Sequence, residues 1–77
     1  VKIKLEFVSF LDIPTEKNNS TIEVEDNAQV RDVLEELGLD KTAQRHITPF
    51  VNEEEASRRD ELSDGDELFL YLPAGGG

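Results

Sequence analysis

Cysteine is absent from the chain. Without a thiol there is no disulfide framework, no thiolate metal ligand and no cysteine nucleophile, and a reducing cytoplasm is the expected compartment. Histidine occurs once, as His46, which excludes a two-histidine metal site and suits a loop or surface position better than a catalytic base. Long apolar runs are missing too. No stretch approaches the ~20 residues of a membrane helix or has the build of a signal peptide. Cations are scarce: 8 Lys and Arg stand against 18 Asp and Glu, for a formal net charge of -10. That field repels nucleic acid and anionic membranes and speeds encounter with a basic partner, while also serving solubility. Signatures of catalysis are lacking, with no phosphate-cradling glycine loop between strand and helix, no HExxH and no GxSxG. The run Glu53, Glu54, Glu55 lacks the alternating ligands of a calcium loop and reads as a solvated face.

What is present is patterned. A chain of 77 residues, 36% hydrophobic and 34% charged, makes one domain that buries only about 60% of its unfolded surface, too little for a deep enzyme cleft. "VKIKLEF" alternates Val1, Ile3, Leu5 and Phe7 with polar residues, the period of a half-buried strand. "DIPTEKNNS" holds turn residues, and "TIEVE" alternates again, which predicts a hairpin. In "DNAQVRDVLEELG" the residues Val30, Val33, Leu34 and Leu37 fall at helical spacing. The helix is expected over 28–37, capped by Asp26 or Asn27 and closed by Gly38. "KTAQRH" reads as a loop or a short helical turn. "ITPFV", broken by Pro49, reads as an edge strand. "SDGD" is a tight turn at Gly65 feeding a last strand, "LFLYL". The expected class is α+β, a mixed sheet of four to five strands packed on one main helix, over residues 1–72, with a flexible Gly-rich tail at 73–77.

The elements "IKLEFVSFLD", "VRDVLEELG", "FVN" and above all "LSDGDELFLYLPAGGG" together resemble the MoaD/ThiS family of sulfur carriers, whose fold is the ubiquitin-like β-grasp. The resemblance covers nearly the whole chain. It implies a protein cofactor, not an enzyme, whose terminal Gly77 carboxylate is adenylated and then converted to a thiocarboxylate that donates sulfur. No bound cofactor is implied, and ATP is used by the partner, an adenylyltransferase resembling the ubiquitin-activating enzyme. A second implied partner is the large subunit of molybdopterin synthase, in molybdenum cofactor biosynthesis, or another sulfur acceptor enzyme. Where the family commonly places glycine after the asparagine of the third strand, Glu53 follows Asn52, which predicts a differently built turn. Leu72 precedes Pro73 where a second proline is frequent, and Gly75 takes a position commonly held by a small residue.

The chemistry of the tail agrees with that role. A carboxylate is a poor electrophile, so loading it with sulfur requires a leaving group, which an acyl-adenylate supplies. Gly75, Gly76 and Gly77 let a partner's channel close on bare backbone. Residues 74–77 can reach roughly 13 Å at about 3.3 Å each. If Leu68, Leu70 and Leu72 face the helix, Phe69 and Tyr71 share the opposite face, beside Val8 of the first strand; with Pro73 these are the expected partner-binding residues. Other readings share the chemistry as far as adenylation: a sulfur carrier for thiamine or tRNA thiolation, or a ubiquitin-like modifier joined to lysines. A β-grasp interaction module with an inert tail is the remaining alternative.

Overall fold

The computed structural model describes residues 1–8 and 15–72. Five strands form one sheet: β1 (Lys2–Phe7), β2 (Ser20–Glu23), β3 (Thr48–Val51), β4 (Glu54–Glu55) and β5 (Glu67–Tyr71), in the order β2-β1-β5-β3-β4. The central strand β5 runs parallel to its neighbour β1, and every other pairing is antiparallel. Two short helices, α1 (Val30–Glu36) and α2 (Lys41–His46), lie between β2 and β3, with a 3-10 turn at Thr15–Lys17 before β2. This is the ubiquitin-like β-grasp, with two helices where one main helix was expected.

The alternation in β1 has a direct consequence. Ile3, Leu5 and Phe7 are buried, and with Leu68 and Leu70 of β5 they form a floor against which Val30, Val33 and Leu34 of α1 pack. Each such side chain contributes about 1.5–3 kcal/mol when removed from water. Leu37 and Leu72 are half-buried at the margin of the same cluster. β1 is anchored at both ends by loop side chains. At its start, the Lys2 N–H donates to Asp64 Oδ1 (2.7 Å) and the Lys2 carbonyl accepts from the Gly65 N–H (2.7 Å). Gly65 sits at φ 88, a left-handed value that glycine adopts without steric penalty. At the far end, the amide of Asn18 accepts from the Phe7 N–H (2.9 Å) and donates to the Phe7 carbonyl (3.0 Å). A side chain thereby stands in for one more rung of the β1–β2 ladder.

α1 is shorter than the predicted 28–37 helix, and its N-cap is Gln29 rather than Asp26 or Asn27. Asn27 takes φ 66 in a turn closed by the bond from the Ala28 N–H to the Glu25 carbonyl (3.1 Å), which delays the helix. Asp32, at the third helical position, reaches back to the Gln29 N–H (2.8 Å), satisfying one of the donors a helix start leaves free. The C-terminus follows the expected form: Gly38 lies at φ 87, and the Leu39 N–H reaches the Leu34 carbonyl (3.2 Å) while the Gly38 N–H reaches that of Glu35 (3.0 Å). "KTAQRH" resolves into α2, capped by Asp40 Oδ1 accepting from the Ala43 N–H (2.8 Å). Its buried Gln44 donates to the Leu39 carbonyl (2.8 Å).

β3 is not an edge strand. It lies between β5 and the two-residue β4. Pro49 is tolerated because its carbonyl faces β4, where it accepts from the Ala56 N–H (2.9 Å). The missing donor therefore falls on the side where that strand is already ending.

Candidate functional site

The sheet has one face under the helices and one open face. On the open face, period-2 alternation in β5 brings out Phe69 and Tyr71, whose ring centroids lie 6.5 Å apart at an interplanar angle of 25°. Register then adds a third ring. Phe50 of β3 is the cross-strand partner of Phe69, with centroids 6.4 Å apart at 46°, a separation at which aromatic pairs attract. On the other side of Phe69 its partner in β1 is Glu6. The three rings form a shallow groove of about 500 Å³, bordered by the carboxylate residues Glu6, Glu53 and Glu67. Tyr71, at 41%, is the most exposed large apolar side chain among the described residues.

The expected residues divide accordingly. Phe69 and Tyr71 are neighbours on the open face, as the alternation of β5 predicts. Val8 is half-buried and packs on the hydrophobic core instead of lining the groove. Pro73 and the glycines Gly75, Gly76 and Gly77 lie outside the described residues. Phe50 was missed. Its signal was the alternation within "ITPFV", which turns Pro49 and Val51 inward and Phe50 outward, but only the β3–β5 register places it against Phe69.

One part of the groove's acidic border, Glu53, is placed by the β3–β4 turn. Asn52 and Glu53 take φ 52 and φ 71, the two left-handed residues of a hairpin turn in which Asn-Gly is the favoured sequence. The turn is thus not rebuilt to suit a side chain at Glu53; Glu53 adopts the glycine-like conformation. It is held there because Asn52 is bonded on three sides: its N–H to the Glu67 carbonyl (2.9 Å), its Oδ1 to the Glu67 N–H (3.0 Å) and its Nδ2 to Asp66 Oδ1 (2.9 Å).

Chemically, this face is suited to binding. It offers aromatic area and carboxylates, and among the described residues no group of three or more His, Asp and Glu side chains gathers to hold a metal ion. His46, at the end of α2, is exposed and is not among the groove's lining residues. No helix among the described residues is long and apolar enough to cross a membrane.

Solved structures with the same fold include SAMP1 from Haloferax volcanii, 24% identical with a TM-score of 0.71 and 100% of both chains covered. A second structure, of the H. volcanii small archaeal modifier protein 1, is 23% identical with a TM-score of 0.70, over 95% of this chain and 98% of that one. A molybdopterin converting factor subunit 1 from Pyrococcus furiosus is 22% identical with a TM-score of 0.67, over 96% of this chain and 99% of that one. At these identities the likeness is one of fold. No curated protein matches the chain. The sequence model of the ThiS family, however, matches residues 8–77, taking in β5, the segment that leaves it and the final glycines, and on that span the chain belongs to the ThiS family.

Proposed function

We propose that this protein carries sulfur on the carboxylate of Gly77. The observation that carries the reading is the extent of the family match, which runs from residue 8 through the "PAGGG" ending. In the proposed cycle an activating enzyme binds the open sheet face and transfers AMP from ATP to the Gly77 carboxylate, releasing pyrophosphate. Hydrosulfide supplied by a partner then attacks the acyl carbon, forming a C–S bond as the C–O bond to AMP breaks, so that AMP leaves and the sulfur gives up its proton. The product is a thiocarboxylate that an acceptor enzyme consumes. The carrier supplies no catalytic group to these steps. Its contribution is a docking face beside the last strand and an extension thin enough to enter another protein's active site.

Among acceptors, the first reading is the large subunit of molybdopterin synthase, supported by the fold shared with a molybdopterin converting factor subunit 1; a sulfur acceptor of thiamine synthesis or tRNA thiolation is the alternative. Intact mass measurement of the protein purified from its native cell tests the carrier role. The expected result is a fraction heavier by the replacement of one oxygen by sulfur, localised to Gly77 by fragmentation. A wholly unmodified population that also forms no adenylate with its activating enzyme and ATP would overturn the proposal. Lysine-linked adducts without any thiocarboxylate would assign the protein as a modifier instead.

A further inference from the structure

The helix side of the molecule has the opposite character from the groove. Of the eight Lys and Arg residues in the chain, five (Arg31, Lys41, Arg45, Arg58 and Arg59) surround one shallow depression, with Glu35 the only carboxylate among its lining residues. The five span residues 31–59 and come together only in the fold: Arg31 from α1, Lys41 and Arg45 from α2, and Arg58 and Arg59 from the loop after β4. That loop is fixed to the helix start, since the Arg31 N–H donates to the Arg58 carbonyl (2.8 Å) and the Val30 N–H to the Asp60 carbonyl (2.9 Å).

The five cations are exposed, and among the described residues none is in an ion pair, although pairing occurs elsewhere, as between Lys4 and Glu6 at 3.4 Å. This is unexpected beside 18 Asp and Glu residues. Three aspartates in or beside these elements are turned to the backbone instead: Asp32 accepts from the Gln29 N–H, Asp40 from that of Ala43 and Asp60 from that of Ser57. A cationic cluster left uncompensated in so acidic a chain costs like-charge repulsion, and an external anion relieves it.

We propose that this patch is a docking site for an acidic segment of a partner protein, on the helix side of the sheet and distinct from the aromatic groove. Three features select that occupant. A compact phosphate needs donors that converge, but these side chains are exposed and spread over three elements, and the backbone donors of Val30 and Arg31 at the start of α1 are already consumed. A long nucleic acid extends beyond the ~8 Å over which a local patch escapes screening and then meets the field of a molecule of net charge -10. A segment of successive Asp and Glu carries single charges at intervals that five separate, flexible cations can match. Docking there leaves the open face free, so one partner can hold the protein at the patch while another occupies the aromatic groove.

The test is amide chemical-shift mapping on the isotope-labelled full chain with three anionic probes: a capped octaglutamate peptide, tripolyphosphate and a single-stranded DNA oligonucleotide. Octaglutamate is expected to give saturable shifts centred on Arg31, Lys41 to Arg45 and Arg58 to Arg59, lost when salt is raised from about 50 mM to about 500 mM. Arg45→Gln with Arg58→Gln should raise its dissociation constant by about tenfold, whereas Lys2→Gln with Lys17→Gln, away from the patch, should not. Both double variants should melt as wild type does. The proposal is overturned if octaglutamate gives no saturable shift at these amides, or if tripolyphosphate or the oligonucleotide saturates them at lower concentration than the peptide. Neither result depends on whether Gly77 carries sulfur.

Discussion

Asn52 and Glu67 are bonded to one another twice, the Asn52 N–H to the Glu67 carbonyl at 2.9 Å and the Glu67 N–H to Asn52 Oδ1 at 3.0 Å. This pair closes the β3–β5 ladder and sets the turn that places Glu53 at the groove. Asn52 also occupies φ 52, where asparagine is among the better tolerated residues. Asn52→Ala removes the side-chain acceptor and adds left-handed strain, so a loss of about 1–3 kcal/mol is expected by urea denaturation. An unchanged midpoint would show the side chain to be dispensable.

Glu53 is the converse case. At φ 71 a side chain costs about 1–2 kcal/mol, and glycine would relieve it while losing about 0.5–1 kcal/mol to its greater freedom in the unfolded chain. Glu53→Gly is therefore expected to stabilise by about 0.5–1 kcal/mol, raising Tm by roughly 4 °C in a domain of this size. A lower Tm would mean that Glu53 makes a favourable contact that outweighs its strain.

Leu34 lies fully buried between α1 and the sheet. Truncation to alanine leaves a cavity that neighbours on two sides cannot fill, so Leu34→Ala should cost about 2–5 kcal/mol out of the ~5–15 kcal/mol typical of a whole domain. Calorimetry or chemical denaturation reads this directly, and a loss below 1 kcal/mol, on the order of a surface substitution, would contradict the packing.

The aromatic groove should carry the affinity for the activating enzyme. Replacing Phe69 and Tyr71 together by alanine removes the centre of the patch. A loss of at least 2 kcal/mol, about thirtyfold in affinity, is expected, mainly as faster dissociation. Phe50→Ala should weaken binding in the same way, because it removes the ring packed against Phe69. Charge reversal at Glu53 to Glu55 should instead slow association, an effect masked by salt. Wild-type affinity in the Phe69, Tyr71 double variant would move the docking site elsewhere.

Deleting Gly77 should leave thermal stability unchanged, since the hydrophobic cluster reaches no further along the described chain than Leu72. The arm is shortened by about 3.3 Å, and a misplacement of ~1 Å already costs about a hundredfold when reacting groups must be aligned. Gly76→Val should fail as well, because a β-branched residue clashes in a channel shaped for bare backbone and resists positive φ. Adenylate formation with the activating enzyme and ATP, followed by mass spectrometry, is the measurement. A truncated protein adenylated as fast as the full chain would refute the role given to Gly77.

Local sequence determined much of this protein. The alternation in "VKIKLEF" put Ile3, Leu5 and Phe7 inside, the helical spacing of Val30, Val33 and Leu34 marked the buried stripe of α1 with Leu37 half-buried beyond its end, and Gly38 and Gly65 marked two left-handed turns, because side-chain period and backbone strain are properties of neighbouring residues. The "PAGGG" ending needed no structure to be noticed. Tertiary structure alone decided what depends on residues distant in the chain. Register set Phe50 against Phe69, and the segment just before α1 is tied to a distant loop, the Leu62 N–H donating to the Ala28 carbonyl at 2.8 Å. Val8 went to the core rather than the groove, and five cations from three elements met on the helix side. Pairing partners and surface patches are set by how whole elements pack, and strand register and helix placement minimise a free energy that no local window contains.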